Sequence, residues 1–434
     1  MSTDTQLLFD ENVVTEVSQK NQEPAWMLQS RLDALKKAAQ LPLPKLQQTN
    51  ISRWNFTEFN PFQVESPIQS LDELPEGIKE FVFGDQPSVL VQKNASVIYH
   101  QLAEELSEQG VVFTDLGTAA KEYEPLIKKY FMTDGVKKDE HRLTAIHAAL
   151  YSGGVFLFVP KNVDVKIPLN GLFWLSGEGA ALLPHILIVA EEGSRVDFVA
   201  NFVAGPDDLG AMNNSIIEAF VGAQAKVRVT TINNLSASAV NVVYRRSLVD
   251  RDGHLEWIIA DLSDGKMVSD NTSHLKGEGS RADVKAVVLG TGEMKANVTS
   301  SVYHWNRHTD SFINARSVMT DKASSILNSI TKIENGASKS DGQQSGKVLM
   351  LHPEARGDAN PILLIDENDV TAGHAASVGK VDPLQMYYLM SRGIPKKEAE
   401  KLIIHGFLDA LISDIPSELL REQIHRLIER KIKS

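Results

Sequence analysis

Histidine is the residue of this chain best suited to bind iron or zinc, because the chain has twelve histidines and no cysteine. His374 stands out because it lies between two small residues, Gly373 and Ala375, just after an acidic stretch. Imidazole is a ligand for iron and zinc, and it titrates near neutral pH. The alternative is a turn histidine whose ring is satisfied by neighbouring carbonyl groups or by Asp366 or Asp369. The residues alone leave both interpretations open, and the structural one is the more common.

Three further histidines are candidates. His304 and His308 lie in the segment SVYHWNRHTDS. A His-x3-His pair chelates a metal on a helix, but this segment is predicted to be strand and turn, where the two residues would lie about 13 Å apart. His352 lies in a loop before the next apolar run. Structural roles are therefore expected for all three.

Acidic and glycine-rich segments are the possible signs of an enzyme. Asp366, Glu367 and Asp369 could form an acid/base set of the kind found in glycoside hydrolases. Fixing a turn is the role that we expect for them instead. The segments 277–279 and 290–292 are rich in glycine but match neither phosphate-binding pattern, so nucleotide binding by this chain is not expected. The sequence therefore favours a protein that is not an enzyme.

His374 lies where two kinds of pattern meet. The apolar run Ile362–Ile365 is long enough for a buried strand, and it is followed by the acidic residues and a small-residue turn that contains His374. A helical pattern begins after Asp382-Pro383 and ends at Gly393. The histidine is thus expected at the junction between a sheet-like body and a helical tail.

The body, from about residue 155 to 365, shows short alternating segments that each follow a glycine. Period two with one apolar face indicates half-buried strands. The expected corners are Gly193, Gly222, Gly253 and Gly279. Their nearly regular recurrence suits a solenoid. A β-sandwich with long connections fits the alternation almost as well, and the pattern alone does not decide between them.

Helical patterns lie on both sides of the body. The segment 1–21 is polar and expected to be frayed; a helix is predicted from Glu23-Pro24, and helical pieces near 97–109, 119–131 and 138–150. In the tail, a helix opened by Pro395 would carry one apolar stripe, and a helix opened by Pro416 would carry another. The first stripe comprises Ala399, Leu402, Ile403, Phe407, Ala410 and Leu411, and the second Leu420, Ile424, Leu427 and Ile428.

Composition narrows the classes of partner. The 434 residues are 42% hydrophobic, with a formal net charge of −12 and a pI of about 5.5. An acidic chain lacks the positive field that binds nucleic acid or anionic membrane surfaces. The sequence has no apolar run long enough to cross a bilayer and no secretory pattern in MSTDTQLLFDEN, so a cytoplasmic location is expected. Without cysteine, the chain offers no thiolate to sulfur, zinc or an iron–sulfur cluster.

Several segments together resemble the SufB/SufD family of iron–sulfur cluster assembly proteins. Near the N-terminus these are the pattern EPxWMxxxR, which begins at Glu23, and the segment Arg53–Phe56. Around the histidine, the match extends from Ile365 to Ile394 and keeps an irregular spacing, which makes it far more specific than a short motif. The matching positions comprise Ile365, Asp366, Val370, Gly373, His374, Ala375, Ala376, Gly379, Asp382 and the run Tyr388–Ile394.

The resemblance implies a fold. Members of this family carry a right-handed parallel β-helix flanked by helical N-terminal and C-terminal domains, which decides between solenoid and sandwich. We therefore expect a helical N-terminal region over residues 1–150, a parallel β-helix core over 151–380 and a helical C-terminal domain over 381–434.

The neighbours of the histidine relate the chain to one branch of the family. The SufB branch usually has Glu directly after this histidine and a cysteine upstream. The SufD branch has a small residue there, which is Ala375 here, and often a cysteine at the place of Ala372. The chain therefore resembles the SufD branch, and a thiol at position 372 cannot be essential in it.

The resemblance also implies partners. These would be a SufB-like paralogue in a heterodimer and the ABC-type ATPase SufC, and the sequence leaves open whether a homodimer forms in isolation. His374 would be a tentative iron or cluster ligand at the partner interface. No cofactor would be bound stably by the chain alone, but a transient iron–sulfur cluster could be shared with SufB. Residues expected to contact partners are Tyr387, Tyr388, Arg392, Leu402, Ile403, Phe407 and Leu411, although the apolar ones could equally serve packing.

Two rival functions remain. In one, the chain only stabilises SufB and recruits SufC, and His374 merely satisfies a turn. In the other, it is a β-helical carbohydrate-active enzyme, which would require a polar cleft along the coils.

Overall fold

The chain is mostly β-strand, with helices towards both ends. A computed structural model describes residues 9–82, 88–205 and 209–433. Its strands form a parallel β-solenoid of about 8 turns. The parallel β-helix flanked by helices is therefore confirmed, and the β-sandwich alternative is wrong.

The N-terminal region contains strands as well as helices. Residues 11–20 are helical and Asp10 caps this helix by accepting from the Val13 amide at 3.0 Å, so the expectation of a frayed segment is wrong there, while residues 1–8 lie outside the described part. The predicted helical piece at 97–109 is wrong in its first part, because Ser96–Gln101 pairs antiparallel with Val89–Lys93, and only Glu104–Glu108 is helical. The elements are α1 Glu11–Lys20, α2 Ala25–Gln40, α3 Glu76–Lys79, β1 Val89–Lys93, β2 Ser96–Gln101, α4 Glu104–Glu108, β3 Val112–Asp115, α5 Leu116–Glu122, α6 Glu124–Tyr130 and α7 Arg142–Leu150.

The solenoid and the tail follow. The strands are β4 Gly154–Val159, β5 Leu169–Leu175, β6 Ala181–Leu182, β7 His185–Ala190, β8 Arg195–Ala204, β9 Met212–Val221, β10 Lys226–Asn234, β11 Val240–Val249, β12 His254–Asp261, β13 Lys266–Leu275, β14 Arg281–Gly290, β15 Lys295–His304, β16 Asp310–Met319, β17 Ser324–Ile333, β18 Asp341–Met350, β19 Arg356–Ile365 and β20 Thr371–Lys380. The tail helices are α8 Pro383–Ser391, α9 Lys396–Ile412 and α10 Glu418–Lys433.

Successive strands alternate between two sheets. The first sheet has the order β2-β1-β5-β8-β10-β12-β14-β16-β18-β20, and the second β19-β17-β15-β13-β11-β9-β7-β4-β3, with β6 paired to β9. Strands already join these sheets at Val89, well before residue 150. The domain boundaries at 150 and 380 stay predictions.

One row of corners in the solenoid is defined by backbone conformation rather than by glycine. In each turn, one residue of this row has a positive φ, and its amide donates to a carbonyl of the next turn at 2.6–3.1 Å. The positions are Asn162, Gly193, Gln224, Asp252, Gly279, His308 and Lys339. Gly193 and Gly279 were predicted as corners. Gly222 and Gly253 are not corner residues themselves but lie close to the corner residues Gln224 and Asp252. Glycine is not required at a corner, because Asn, Asp and His also tolerate the left-handed conformation.

The interior between the two sheets is closely packed and apolar in the early turns. Inward-facing residues alternate along each strand, as the period of two predicts. Among the largest fully buried side chains are Phe173, Phe198, Phe202 and Trp257.

Helices cover the outer faces of both sheets. Helices α2 and α7 pack on the early strands of the second sheet, and α9 and α10 pack on the first sheet from β5 to β16. The predicted stripe of α10 is confirmed as buried. The predicted stripe of α9 is largely wrong: Leu402 is 53% exposed, whereas Ile404, Leu408 and Ile412 are buried. The sequence of α9 is apolar on two faces, so periodicity alone could not show which face meets the sheet.

Candidate functional site

The last turn of the solenoid is open. β19 ends the second sheet and β20 ends the first, so that each is paired on one side only within the described residues. Most side chains of β20 are exposed. The run Ile362–Ile365 does form a strand, but the expectation that it is buried is wrong, since Leu364 is 46% exposed and Ile365 is 41% exposed.

His374 lies inside β20, and the expectation of a small-residue turn there is wrong. The small residues around it pair in register with β18, and His374 lies beside Gln344. It ends a column of paired residues that share the inward face: Val229, Trp257, Val284, Ile313, Gln344 and His374. Because no described strand follows β20, the imidazole at the end of this column is exposed to solvent.

The column becomes polar just beneath His374. Gln344 donates from Nε2 to Thr331 Oγ1 at 2.7 Å and to the Ile362 carbonyl at 3.1 Å. Its Oε1 atom is buried and has no hydrogen-bond partner among the described residues. Buried polar atoms are rarely left unpaired. The open end is therefore a place where a polar group from outside the chain would be favourable.

The two edge strands differ in their ability to accept another strand. In β20 and just after it, the amides of Thr371 and Val381 donate to β18 and its flanks, at 2.9 and 3.1 Å. Alternation therefore directs the N–H groups of even-numbered residues, His374 included, to the free edge. β20 contains neither proline nor an acidic residue, and such residues are among the features that protect natural edge strands. The β20 edge can pair with a further strand.

β19 is better protected. The amides of Arg356 and Asp366 donate towards β17, at 3.0 and 2.8 Å, so the odd-numbered residues face the free edge. Pro361 is one of these, which removes a donor from the free edge without breaking the ladder. Pairing by a partner is therefore expected at β20 rather than along the whole of β19.

The acidic residues before β20 are held by the previous turn. Asp366 pairs with Lys332, and Asp369 pairs with Lys339 at 2.8 Å. Glu367 accepts from the Gly336 amide at 2.9 Å, and backbone amides lower the pKa of its carboxyl group. A general acid needs a raised pKa, so this arrangement fixes the turn rather than supporting glycoside hydrolysis.

The other candidate histidines have structural positions. His304 is buried, with ring nitrogens 2.8 Å from Thr309 Oγ1 and Ser311 Oγ, and burial lowers its pKa to about 4. His308 is a corner residue with φ of 56°, so the two do not form a chelating pair. His352 is an exposed loop residue that accepts from the Glu354 amide at 3.3 Å.

The predicted partner residues fall into two groups. Tyr387 and Tyr388 are 71% and 61% exposed on α8, and the Arg392 guanidinium lies 6.0 Å from the Tyr388 ring centre. On α9, Leu402 is exposed, Ile403 and Phe407 are half-buried, and Leu411 is buried against the first sheet. Leu411 thus serves packing, whereas an exposed surface runs from the exposed residues of α8 to Leu402.

Sequence reasoning missed a buried polar chain near the start of the solenoid. His147 Nε2 lies 3.2 Å from His185 Nδ1, and His185 Nε2 lies 2.9 Å from Glu218 Oε2. The Glu218 carboxylate also accepts from the Met132 and Val136 amides, both at 2.9 Å. These residues come from α7, β7 and β9 and from the connection before α7, so no local spacing could have revealed them. They tie the N-terminal helices to the sheet.

The fold and the open turn define a solenoid protein whose last strand is free to pair. A family model described as the SufBD core domain of SUF-system FeS cluster assembly matches residues 173–407, and one described as the SufBD N-terminal region matches 8–170. The chain is 46% identical to the iron–sulfur cluster assembly protein SufD of Bacillus subtilis, over 100% of both chains. It is 30% identical to an iron–sulfur cluster assembly SufBD family protein of Staphylococcus saprophyticus, over 96% of this chain and 92% of that one.

The chain belongs to the SufBD family of iron–sulfur cluster assembly proteins, which confirms the resemblance inferred from its sequence. Among the described helices, none combines the length and the hydropathy that crossing a bilayer requires.

Proposed function

We propose that this chain is a SufD-type subunit of a cytoplasmic scaffold on which iron–sulfur clusters are assembled. It pairs with a SufB-like paralogue through the open turn and docks the ATPase SufC through its helical tail. The observation that carries the proposal is the free edge of β20, which has no proline and no charged residue before Lys380 at its end, whereas such residues protect natural edges. Exposed Leu364, Ile365 and Val378 beside this edge supply the apolar area that a stable interface needs.

His374 has a defined part in this proposal. Its amide belongs to the free edge and its ring lies at the end of the inward column, so a paired partner would cover both. The chain itself supplies no thiolate, and the residues on either side of His374 are Gly373 and Ala375. A cluster held at His374 would therefore be shared cargo whose thiolate and carboxylate ligands come from the SufB-like subunit.

The proposed SufC dock uses α8 and the exposed side of α9. Movement of these helices would reach the solenoid, because Arg316 of β16 donates to the Phe407 carbonyl and Lys285 of β14 donates to the Asp414 carbonyl at 3.3 Å. ATP-driven approach of two SufC subunits would thus shift the SufB-like interface and uncover His374.

A purely structural role is the second candidate, and one observation favours it. Every neighbour of His374 in β20 is a small residue, valine or lysine, so the strand provides only one ligand of its own. In that case the chain would stabilise the SufB-like subunit and recruit SufC without touching the cluster.

Anaerobic co-purification separates the two candidates. The chain is expressed with SufB and SufC as wild type, as His374→Ala and as His352→Ala, a control at an exposed histidine outside β20. Iron and sulfide are then quantified in each complex. Intact complexes that lose the cluster only in His374→Ala support a ligand role. Equal cluster content in all three supports a structural role, and the absence of any complex contradicts the assembly proposal.

A further inference from the structure

The helical tail contains a cluster of potential metal ligands that plays no part in the proposed SufB-like interface. α9 and α10 face each other across a short connection, and each presents two such residues one helical turn apart. His405 and Asp409 lie on α9, and His425 and Glu429 lie on α10. His405, Asp409 and His425 each offer one atom, and these three atoms lie within 4.8 Å of one another.

The contacts within this cluster are too long for good hydrogen bonds. His425 Nδ1 lies 3.5 Å from Asp409 Oδ1, and His405 Nε2 lies 3.7 Å from Glu429 Oε1. His405 Nε2 and Asp409 Oδ1 are both buried atoms without a hydrogen-bond partner among the described residues. Two such atoms directed at the same small space incur a desolvation cost that a bound cation would remove.

The spacing suits a transition metal. Bonds of about 2.0–2.1 Å in a tetrahedral zinc site place ligand atoms about 3.3 Å apart, so only small side-chain movements are needed. Two neutral imidazoles and two carboxylates also balance the charge of a divalent ion. Imidazole nitrogen favours zinc over magnesium or calcium, which prefer oxygen ligands.

An ion could reach this cluster from solvent. An open cavity of about 460 Å³ lies beside it, lined by Glu422, His425, Arg426, Glu429 and Arg430. The positive charge of Arg430 is engaged by Glu80, with Nη2 2.6 Å from Oε2. The cavity leaves room for a water molecule as a fourth or fifth ligand.

We propose that His405, Asp409 and His425, with Glu429 beside them, form a site for Zn²⁺ or a similar divalent transition metal that fastens α9 to α10. Both helices pack on the first sheet, so the ion would stiffen the tail on the outer face of the solenoid. This site is separate from the proposed SufB-like interface, since none of its residues lies in β19 or β20, but α9 also carries the proposed SufC dock.

The test uses the full-length chain without an affinity tag, freed of metal by a chelator. Zn²⁺ is titrated calorimetrically, and Co²⁺ is added separately so that its visible absorption reports coordination geometry. We expect one ion per chain, a tetrahedral or five-coordinate Co²⁺ spectrum and a raised unfolding midpoint with Zn²⁺. Mg²⁺ should produce none of these effects.

Variants locate the site. His425→Gln and Asp409→Asn, which keep the approximate size of the side chain, should each weaken Zn²⁺ binding by more than the roughly 10–100-fold that outer-sphere changes cost. Glu429→Gln should weaken it less, and the exposed control His352→Ala should leave it unchanged. Circular dichroism of each variant without metal checks that the fold is kept.

The proposal is overturned by either of two results. One is the absence of Zn²⁺ binding tighter than about 10 μM to the wild-type chain. The other is binding that persists unchanged in both His425→Gln and Asp409→Asn, because the ion would then lie elsewhere.

Discussion

The two ends of the solenoid are built from the same kind of turn but are finished differently. At the early end, which we call the closed end, α2 and α7 cover the outer face of the second sheet and aromatic residues fill the interior, although β2 and β3 also end the two sheets there. The last turn has no such cover among the described residues, and β20 is exposed along most of its length. The early turns are thus covered by helices of the chain itself, whereas the proposed partner would cover the last turn.

The largest expected effect on stability is at the closed end. Glu218→Ala would remove the acceptor of the Met132 and Val136 amides and leave His185 Nε2 unpaired. Each buried donor that is left without a partner typically costs about 1–3 kcal/mol. A markedly lower unfolding midpoint by calorimetry is expected, with almost no change in the exposed control Glu354→Ala. Similar midpoints in both variants would show that the closed end is not held by this chain of bonds.

A second effect on stability, at the end of β15, depends on pH. Burial lowers the pKa of His304 from 6.5 to about 4, so the folded state stays unprotonated where the unfolded state binds a proton. The contribution of neutral, buried His304 to the free energy of unfolding is complete above pH 6.5, and it is lost as the pH falls through the folded-state pKa of about 4. The slope is about 1.4 kcal/mol per pH unit for each such group.

His304→Asn should therefore make the unfolding free energy less dependent on pH in this window. His141 and His274, whose pKa values burial also lowers to about 4, should preserve part of the slope. Denaturant titrations at several pH values provide the measurement. An unchanged slope in the variant would mean that His304 does not titrate as its burial requires.

An intermediate effect distinguishes the two sides of β20. The amides of Thr371 and Val381 donate to β18 and its flanks, so by alternation the amide of Ser377 faces β18 and the amide of Ala376 faces the free edge. Ser377→Pro should cost about 1–3 kcal/mol, because it leaves an acceptor in β18 unpaired. Ala376→Pro should change stability less but abolish co-purification with the SufB-like subunit. If Ala376→Pro still bound that subunit with wild-type affinity, pairing through the β20 edge would be wrong.

The smallest expected effect on stability is at the exposed side of the tail. Leu402→Ala and Tyr388→Ala should change the unfolding free energy only slightly, because both side chains are exposed and surface substitutions rarely matter for stability. Leu408→Ala, further along α9 and fully buried, should cost about 2–5 kcal/mol. Pull-down with SufC should fail for the two surface variants if α8 and α9 form the dock, and succeed if the dock lies elsewhere.

Surface substitutions are the better test of this dock than truncation after Ser391. The buried residues of α9 and α10 cover the outer face of the first sheet from β5 to β16. Removing them would expose that face, so loss of SufC binding could not be separated from loss of folding.

The sequence predicted the strands better than the corners between them. Period-two alternation along β8 and β12 places Val196, Phe198 and Trp257 on one apolar face, and all three are buried in the interior. The corner position was hidden, since its requirement is a positive φ that seven turns meet with six different residue types. A search for glycine therefore found only Gly193 and Gly279 among them.

The site was predicted less completely for physical reasons. The sequence identified His374 as unusual. The small residues around it can form either a turn or a strand, and only their pairing with β18 shows that they form a strand. Its exposure follows from the absence of a described strand beyond β20, which no local pattern reveals. The metal-ligand cluster of α9 and α10 was equally hidden, because its two helical pairs meet only after both helices pack on the first sheet.

Hydrogen–deuterium exchange of the chain, alone and bound to the SufB-like subunit, tests the central claim most directly. The account predicts that the free-edge amides within peptides covering 371–380 exchange freely in the isolated chain and at least about ten-fold more slowly in the complex. Peptides covering 212–221, in the covered part, should be protected in both states. A stable complex in which exchange over 371–380 does not change would contradict the claim that the open turn is the partner interface.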